Sequence, residues 1–469
     1  MDNYKKKSDG QNDPARENDP VRRNDPAREN DPVRGNGPDR VDAKLTRVEK
    51  SWIMYDWANS VYATIMMAAV FPIYFTNTAN SAGQSGDFWW GIGTAAAMIV
   101  IAILAPVAGA LSDFFGYRKK LFTIFFVIGV GFTLLSALND SWLFLLFGYA
   151  VSHIGFSGSC LIYDSFLPDV TTPERMDKIS GYGFAFGYIG GSTIPFLISI
   201  ALISFGENFG IGSSLAIKIS ILLTAVWWAL FSIPFLLNVK QRHGIEKPKS
   251  ANIVGAAFEA VFQTAKKIIG TKTIFIFLIA YFFYIDGVGT VINMSTSYGA
   301  TLGLNATSMI LALLVTQLVA FPCSIWFSTL SRKFGSLTMI RAAVCMYLLI
   351  CVTGFVMGFG LEEELFGVET AVILFWTLAT LVGSVQGGIQ AISRSYFCQL
   401  IPPENSGEFF GFFDIFGKFA AVLGPLLYSL IKGLTGRSSF SILSIVLLFL
   451  AALIILSVGQ KHLHGGAKT

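Results

Sequence analysis

Asp56, Asp164, Asp286, Asp414, Arg394 and Lys418 stand inside long apolar runs, as do the amides Asn59, Asn293, Gln386 and Gln390. A charged group in hydrocarbon costs on the order of 2.5–3.5 kcal/mol or more, so such residues face a bundle interior or a wet cavity, where they handle ions, protons or solute. Asp286 lies mid-run beside Tyr284, Gly287 and Asn293. It reads either as a substrate or proton site or as an interhelix hydrogen bond. Asp56 lies near the start of its run, where gating or helix capping competes with binding. Gln386, Gln390 and Arg394 are spaced i, i+4, i+8 and share one helix face. The guanidinium can clamp a carboxylate cargo, or pair with Asp164 or Asp414 as a gate. Asp414 and Lys418, also at i, i+4, form a local ion pair or a proton relay. His153 is either titratable near neutral pH or a hydrogen-bonded structural histidine. The stretch Gly411–Lys418 has the wrong spacing for a phosphate loop, and Phe419 replaces its Ser/Thr. No metal-ligand pattern, CxxC pair or nucleophile–base pair is present, so no cofactor, metal or enzymatic activity is expected.

These residues need elements to hold them. The chain is 53% hydrophobic and 14% charged, against roughly 25% charged in a soluble domain. Apolar runs long enough to cross a membrane occur at about 52–76, 88–112, 121–138, 142–166, 180–204, 215–238, 273–296, 307–330, 338–360, 368–395, 410–431 and 438–458. The fold class expected is an all-α polytopic membrane protein of twelve transmembrane helices in two six-helix halves. Its expected divisions are a tail (1–50), a first half (51–238), a linker (239–272), a second half (273–460) and a short end (461–469). The tail repeats a six-residue unit marked by Pro14, Pro20, Pro26, Pro32 and Pro38. That rhythm forbids a continuous helix, and the unit has too little apolar content for a core, so the tail is expected to be disordered.

Arg118, Lys119, Lys120, Arg175, Lys178, Lys240, Arg242, Lys247, Lys266, Lys267, Arg332 and Lys333 all fall in alternate loops. The bias places both termini in the cytoplasm. The linker includes an amphipathic surface helix near 253–269. The net charge of +4 reflects this bias, and no nucleic-acid partner is expected.

The halves align at an offset of 230 residues: Pro173-Glu174 with Pro403-Glu404, Gly181 with Gly411, Gly187 with Gly417, Pro195 with Pro425, Asp56 with Asp286. A parallel repeat of this kind is a transporter architecture with its site near the midplane. Gly183, Gly187 and Gly191 form a small-xxx-small ladder that lets helices pack closely.

Between the second and third runs the chain reads Gly109-Ala-Leu-Ser-Asp113-Phe-Phe-Gly116-Tyr-Arg118-Lys119-Lys120. This resembles the loop signature of the major facilitator superfamily, where it acts as a latch that stabilises the outward-open state. The resemblance carries that role to Asp113 and Arg118. The second-half counterpart Ser331-Arg332-Lys333-Phe334-Gly335 departs from the pattern, which puts a symmetric second latch in doubt.

Tyr55-Asp56-Trp57-Ala58-Asn59-Ser60, Tyr163-Asp164-Ser165-Phe166-Leu167-Pro168-Asp169, Ala391-Ile392-Ser393-Arg394-Ser395 and Glu408-Phe409-Phe410-Gly411 narrow it further. Together they resemble the facilitators that include the fungal vacuolar amino-acid effluxer linked to autophagy, and its bacterial relatives. The resemblance implies a secondary active transporter of a small solute, with amino-acid export attached to the fungal branch. The compact loops favour a bacterial plasma membrane, the intramembrane carboxylates make a co-transported proton a candidate partner, and a monomer is expected. The alternatives are a transport-inactive sensor or assembly partner, and a lipid carrier of the same fold.

Overall fold

The computed structural model describes residues 44–247 and 253–466. The hexapeptide repeats lie outside the described residues. The body from Arg47 onward is one compact unit. Its first span is a bent pair, α1 (Arg47–Tyr62), a π-helical stretch Ala63–Ala69, and α2 (Phe71–Ser81), turned by 40°. Pro72 explains the break, because a proline in the first turn of α2 has no N–H to continue the ladder from α1. Five more spans complete the first half: α3 (Gly86–Asp113), α4 (Arg118–Ala137), α5 (Trp142–Ser165) with the short α6 (Leu167–Val170), α7 (Met176–Phe186) continued by α8 (Ile194–Phe205), and α9 (Ser213–Asn238).

The amphipathic α10 (Ile253–Gly270) joins the halves. The second half comprises α11 (Lys272–Thr301), α12 (Ala306–Phe334), α13 (Ser336–Glu362), α14 (Val368–Leu400), α15 (Ser406–Thr435) and α16 (Ser438–Ser444) with α17 (Val446–Val458). The eleven unbroken spans have mean hydropathy of 1.5 to 3.0 over their most apolar stretches. Helices satisfy every backbone group internally, which is what a hydrocarbon layer demands. The protein is thus a multi-pass membrane protein of twelve spans, counting the bent pair as one.

Two expected boundaries move. The first helix begins at Arg47 rather than after residue 50. Residues 460–466 form α18 (Gln460–Gly466), where Leu463 is buried and its carbonyl accepts from the Tyr396 hydroxyl at 3.1 Å. The end of the chain is therefore docked on the second half as far as it is described.

The two halves meet along α3–α15, α7–α12, α7–α14 and α5–α15. Gly109 and Gly407 make the α3–α15 crossing possible. A Cβ on Gly109 would sit 2.2 Å from the Gly407 carbonyl oxygen, and one on Gly407 would sit 2.0 Å from Ser112 Oγ. Within the first half, Gly183, Gly187 and Gly191 lie against α1. A Cβ at these positions would meet Asp56 Oδ2 at 2.2 Å, Ser60 Oγ at 2.7 Å and Ser60 Cβ at 2.6 Å. The span carrying them widens to a π-helix over Gly187–Thr193, facing α1, before Pro195 restarts it as α8. Overpacking a tight contact costs about 1–3 kcal/mol. Gly187→Leu is accordingly expected to lower the thermal midpoint of the purified protein in detergent, and a change at the lipid-facing Leu197, Leu197→Phe, to leave it in place.

Candidate functional site

The loops bearing Arg118 to Lys120, Arg175 and Arg332 lie on one side of the bundle, here the basic face. Just inside this face, Arg394 on α14 crosses from the second half into the first. Its Nη1 donates to Asp164 Oδ1 at 2.9 Å and its Nη2 to Asp56 Oδ2 at 3.1 Å. Nε donates to Ser180 Oγ at 2.9 Å, and Nη2 also reaches the Ser180 carbonyl at 3.1 Å. The guanidinium is sandwiched between Trp52 and Phe184, with ring centroids 4.6 and 4.5 Å away. Its side chain is only 5% exposed. Two carboxylates and two ring faces compensate the buried charge. Gly183 leaves the room in which Asp56 meets Arg394. Of the two gate partners expected for Arg394, Asp164 is the one in contact; Asp414 pairs instead with Lys418.

A second link sits closer to the basic face. Asp113 Oδ1 accepts from the Gly407 N–H at 2.8 Å and Oδ2 from the Glu408 N–H at 2.9 Å. A carboxylate from the first half therefore caps the N-terminus of α15, where orphan N–H groups and the helix dipole favour negative charge. Arg118 Nη2 holds the same Oδ1 at 2.7 Å, and its Nη1 reaches Asp169 Oδ2 at 2.7 Å. Asp169 Oδ1 in turn accepts from the N–H groups of Arg242 and His243 at 2.9 and 2.7 Å, and lies 2.9 Å from His243 Nδ1. The chain entering the linker is thus tied to the Asp113–Arg118–Asp169 cluster, and Ile245 N donates to the Asp113 carbonyl at 2.8 Å.

The pseudo-symmetric position carries a different device. Asp177, at the start of α7, accepts from Ser336 Oγ at 2.7 Å, Ser395 Oγ at 2.5 Å and Gln399 Nε2 at 3.3 Å. The acid comes from the first half and the first residue of α13 supplies a hydroxyl, so the second link is not a copy of the first. Ser180 Oγ to the Ala391 carbonyl (2.7 Å) and Ser406 Oγ to the Ser165 carbonyl (2.9 Å) add two more ties.

Above these links lies a cavity of about 220 Å³ lined by Asp164, Gln390, Arg394, Asp414 and Lys418, with Leu161, Phe184, Tyr281, Ile285, Phe410, Phe413 and Gly417. Lys418 Nζ donates to Asp414 Oδ2. The side chains of Asp164 and Asp414 remain 26% and 23% exposed. Gln390 Nε2 lies 3.4 Å from the Tyr188 hydroxyl, the innermost hydrogen bond between the halves among the described residues.

The remaining candidates lie elsewhere. Asp286 is fully buried, and its Oδ1 accepts from the Gly424 N–H at 3.0 Å, next to Pro425 in α15. It occupies the interhelix position, not the cavity wall. Asn293 is exposed further along α11, and Asn59 is buried in α1. Gln386 is buried and borders an apolar pocket inside the second half with Gln317 and Phe375. His153 is buried with Nδ1 unpartnered. Ser180, Asp169 and Asp177 were not distinguishable in the sequence. Each is an ordinary polar residue near a helix end; Asp169 stood only as the last residue of the Tyr163–Asp169 motif, with no role attached, and the offset alignment pointed at the region of Asp177 and Ser180.

The model of the family described as "Vacuole effluxer Atg22 like" matches residues 92–462. The chain belongs to this Atg22-like family. It is 43% identical over 421 residues to an uncharacterized MFS-type transporter, YxiO, of Bacillus subtilis, covering 88% of this chain and 95% of that protein. Autophagy-related protein 22 of Cryptococcus neoformans is 27% identical over 300 residues, 60% of this chain; the match spans about half of that protein, 49%. The human organic anion transporter MFSD10 superposes with a TM-score of 0.62 at 14% identity, over 90% of this chain and 100% of its own, which shows the major facilitator fold. The Atg22-like chain is thus an MFS-type transporter.

Removing one partner of a buried charge network costs about 3–5 kcal/mol. In this Atg22-like protein, Asp113→Ala strips the cap from α15 and half the pairing from Arg118. With the native cysteines replaced and a cysteine placed at Gln390, this change is expected to raise thiol labelling from the basic face at least about tenfold, which requires only 1.4 kcal/mol of the loss. The measurement is the rate of modification by a membrane-impermeant maleimide.

Proposed function

We propose that this chain is a secondary active transporter that carries a small solute by rocker-switch alternating access, and that the structure is the state closed at the cytoplasmic side. One observation carries the reading: the hydrogen bonds joining the halves gather at the basic face, beneath a cavity lined by charged groups from both halves. At the other end, α8 packs on α9 and α2 on α3, α5 and α9, all first-half elements. The positive-inside rule makes the basic face cytoplasmic, with both termini on that side. The Bacillus relative supports a bacterial plasma membrane, and the family's description as an effluxer supports export. Two six-helix halves hinged on a sealed face are complete as a monomer. Amino acids are the cargo that the family resemblance suggests. An ion gradient is the proposed energy source, with a proton as the coupling ion.

Opening the cytoplasmic side requires Asp113, Asp177, Ser180 and Arg394 to lose their cross-half partners together. A cysteine pair at Asp177 and Ser336, bridged by a short thiol reagent, locks that side. In vesicles of known sidedness, a cysteine at Gln390 is expected to label from either face before bridging and from the outer face alone afterwards. Labelling from one face under every condition would remove alternating access.

A further inference from the structure

The charged residues at the cavity differ in what they leave free. Arg394 is spent: Nε, Nη1 and Nη2 make four hydrogen bonds, and two rings cover its faces. It has little left to clamp an incoming carboxylate. Asp164 gives one oxygen to Arg394 and Asp414 one to Lys418. Each keeps a second oxygen, and both side chains stay partly open to the cavity. The cavity lining carries two carboxylates, Asp164 and Asp414, and two cations, Arg394 and Lys418; Asp56, outside the lining, also pairs with Arg394, so the connected network holds three carboxylates to two cations. The lining is also aromatic, with Phe413 stacked on Tyr281 at 4.1 Å between centroids, and Phe184, one face of which covers Arg394. Ring faces attract cations, the more so when desolvated. Open carboxylate oxygens and aromatic walls in one cavity, joined to a network with one more carboxylate than cations, fit an organic cation.

We infer that the chamber recognises its cargo through an ammonium group held between Asp164 and Asp414, with the organic body against Phe184, Tyr281 and Phe413. This rests on the transporter reading and narrows its cargo to amines. A carboxylate on the cargo is not required for this contact; Lys418 gives one of its three N–H donors to Asp414, which balances part of its charge there. Lys418 is then a positioning residue that holds Asp414 and opposes the cargo's charge.

Three probes of equal body and different charge test this: phenethylamine, phenylalanine and 3-phenylpropionate, added to the purified full-length protein, with thermal stabilisation as the readout. Phenethylamine is expected to stabilise at the lowest concentration and 3-phenylpropionate not at all. Asp414→Asn is expected to raise the phenethylamine midpoint at least tenfold. Lys418→Gln is expected to lower it, an effect that a purely structural role, or a misfolded variant, does not produce. Phenylalanine or 3-phenylpropionate acting below phenethylamine, or a Lys418→Gln protein that binds phenethylamine more weakly, overturns the inference. Silence from all three probes at roughly 20 mM overturns it too, while two-sided labelling of position 390 would leave alternating access standing.

Discussion

A guanidinium buried near the end of a membrane span has to be compensated, and Arg394 takes its compensation from the opposite half of the molecule. Asp56, Asp164 and Ser180 all belong to the first half, while Arg394 belongs to the second. The halves cannot part at this face unless those acceptors are replaced by water or by cargo. Charge burial therefore makes the closed arrangement a state with a definite exit condition, because interfaces of this kind switch between discrete packings and do not deform continuously.

The other ties obey the same logic with different chemistry. Asp113 uses the partial charge of a helix end, which belongs to the backbone and moves only if α15 moves. The chain Asp113–Arg118–Asp169–His243 then carries that contact into the connecting segment. Beyond it, α10 packs on α3, α11 and α15, with Phe258 and Phe262 exposed on its outer side. The linker thus begins beside these ties and continues along α3 and α15, the two helices that Asp113 joins, and α11.

The spans were legible because a hydrocarbon slab imposes length and apolarity on every crossing, and sequence displays both directly. The bend at Val70 was less so: Pro72 signals a break, but whether two short helices make one crossing depends on neighbours. Spacing put Gln386, Gln390 and Arg394 on one face, yet could not tell that the first borders an apolar pocket, the second the charged cavity and the third the seal. Asp286 illustrates the same limit. A carboxylate in mid-span has two physical solutions, a wet wall or an interhelix acceptor, and only the fold shows Asp286 accepting from the Gly424 N–H on α15. Asp177 and Ser180 carried no local signal because their partners lie some 160 to 220 residues away in the chain.

Asp164 and Arg394 are separated by 230 residues, the offset at which the two halves align, so the alignment sets them at corresponding positions while the fold bonds them to each other. A symmetric ancestor would have set identical side chains face to face there, and two like charges would repel. The contact is an ion pair because the two positions carry opposite sign. The copies have since become complementary and are no longer interchangeable: a chimaera built from the first half twice would bring carboxylate against carboxylate at the place where the present molecule holds itself shut.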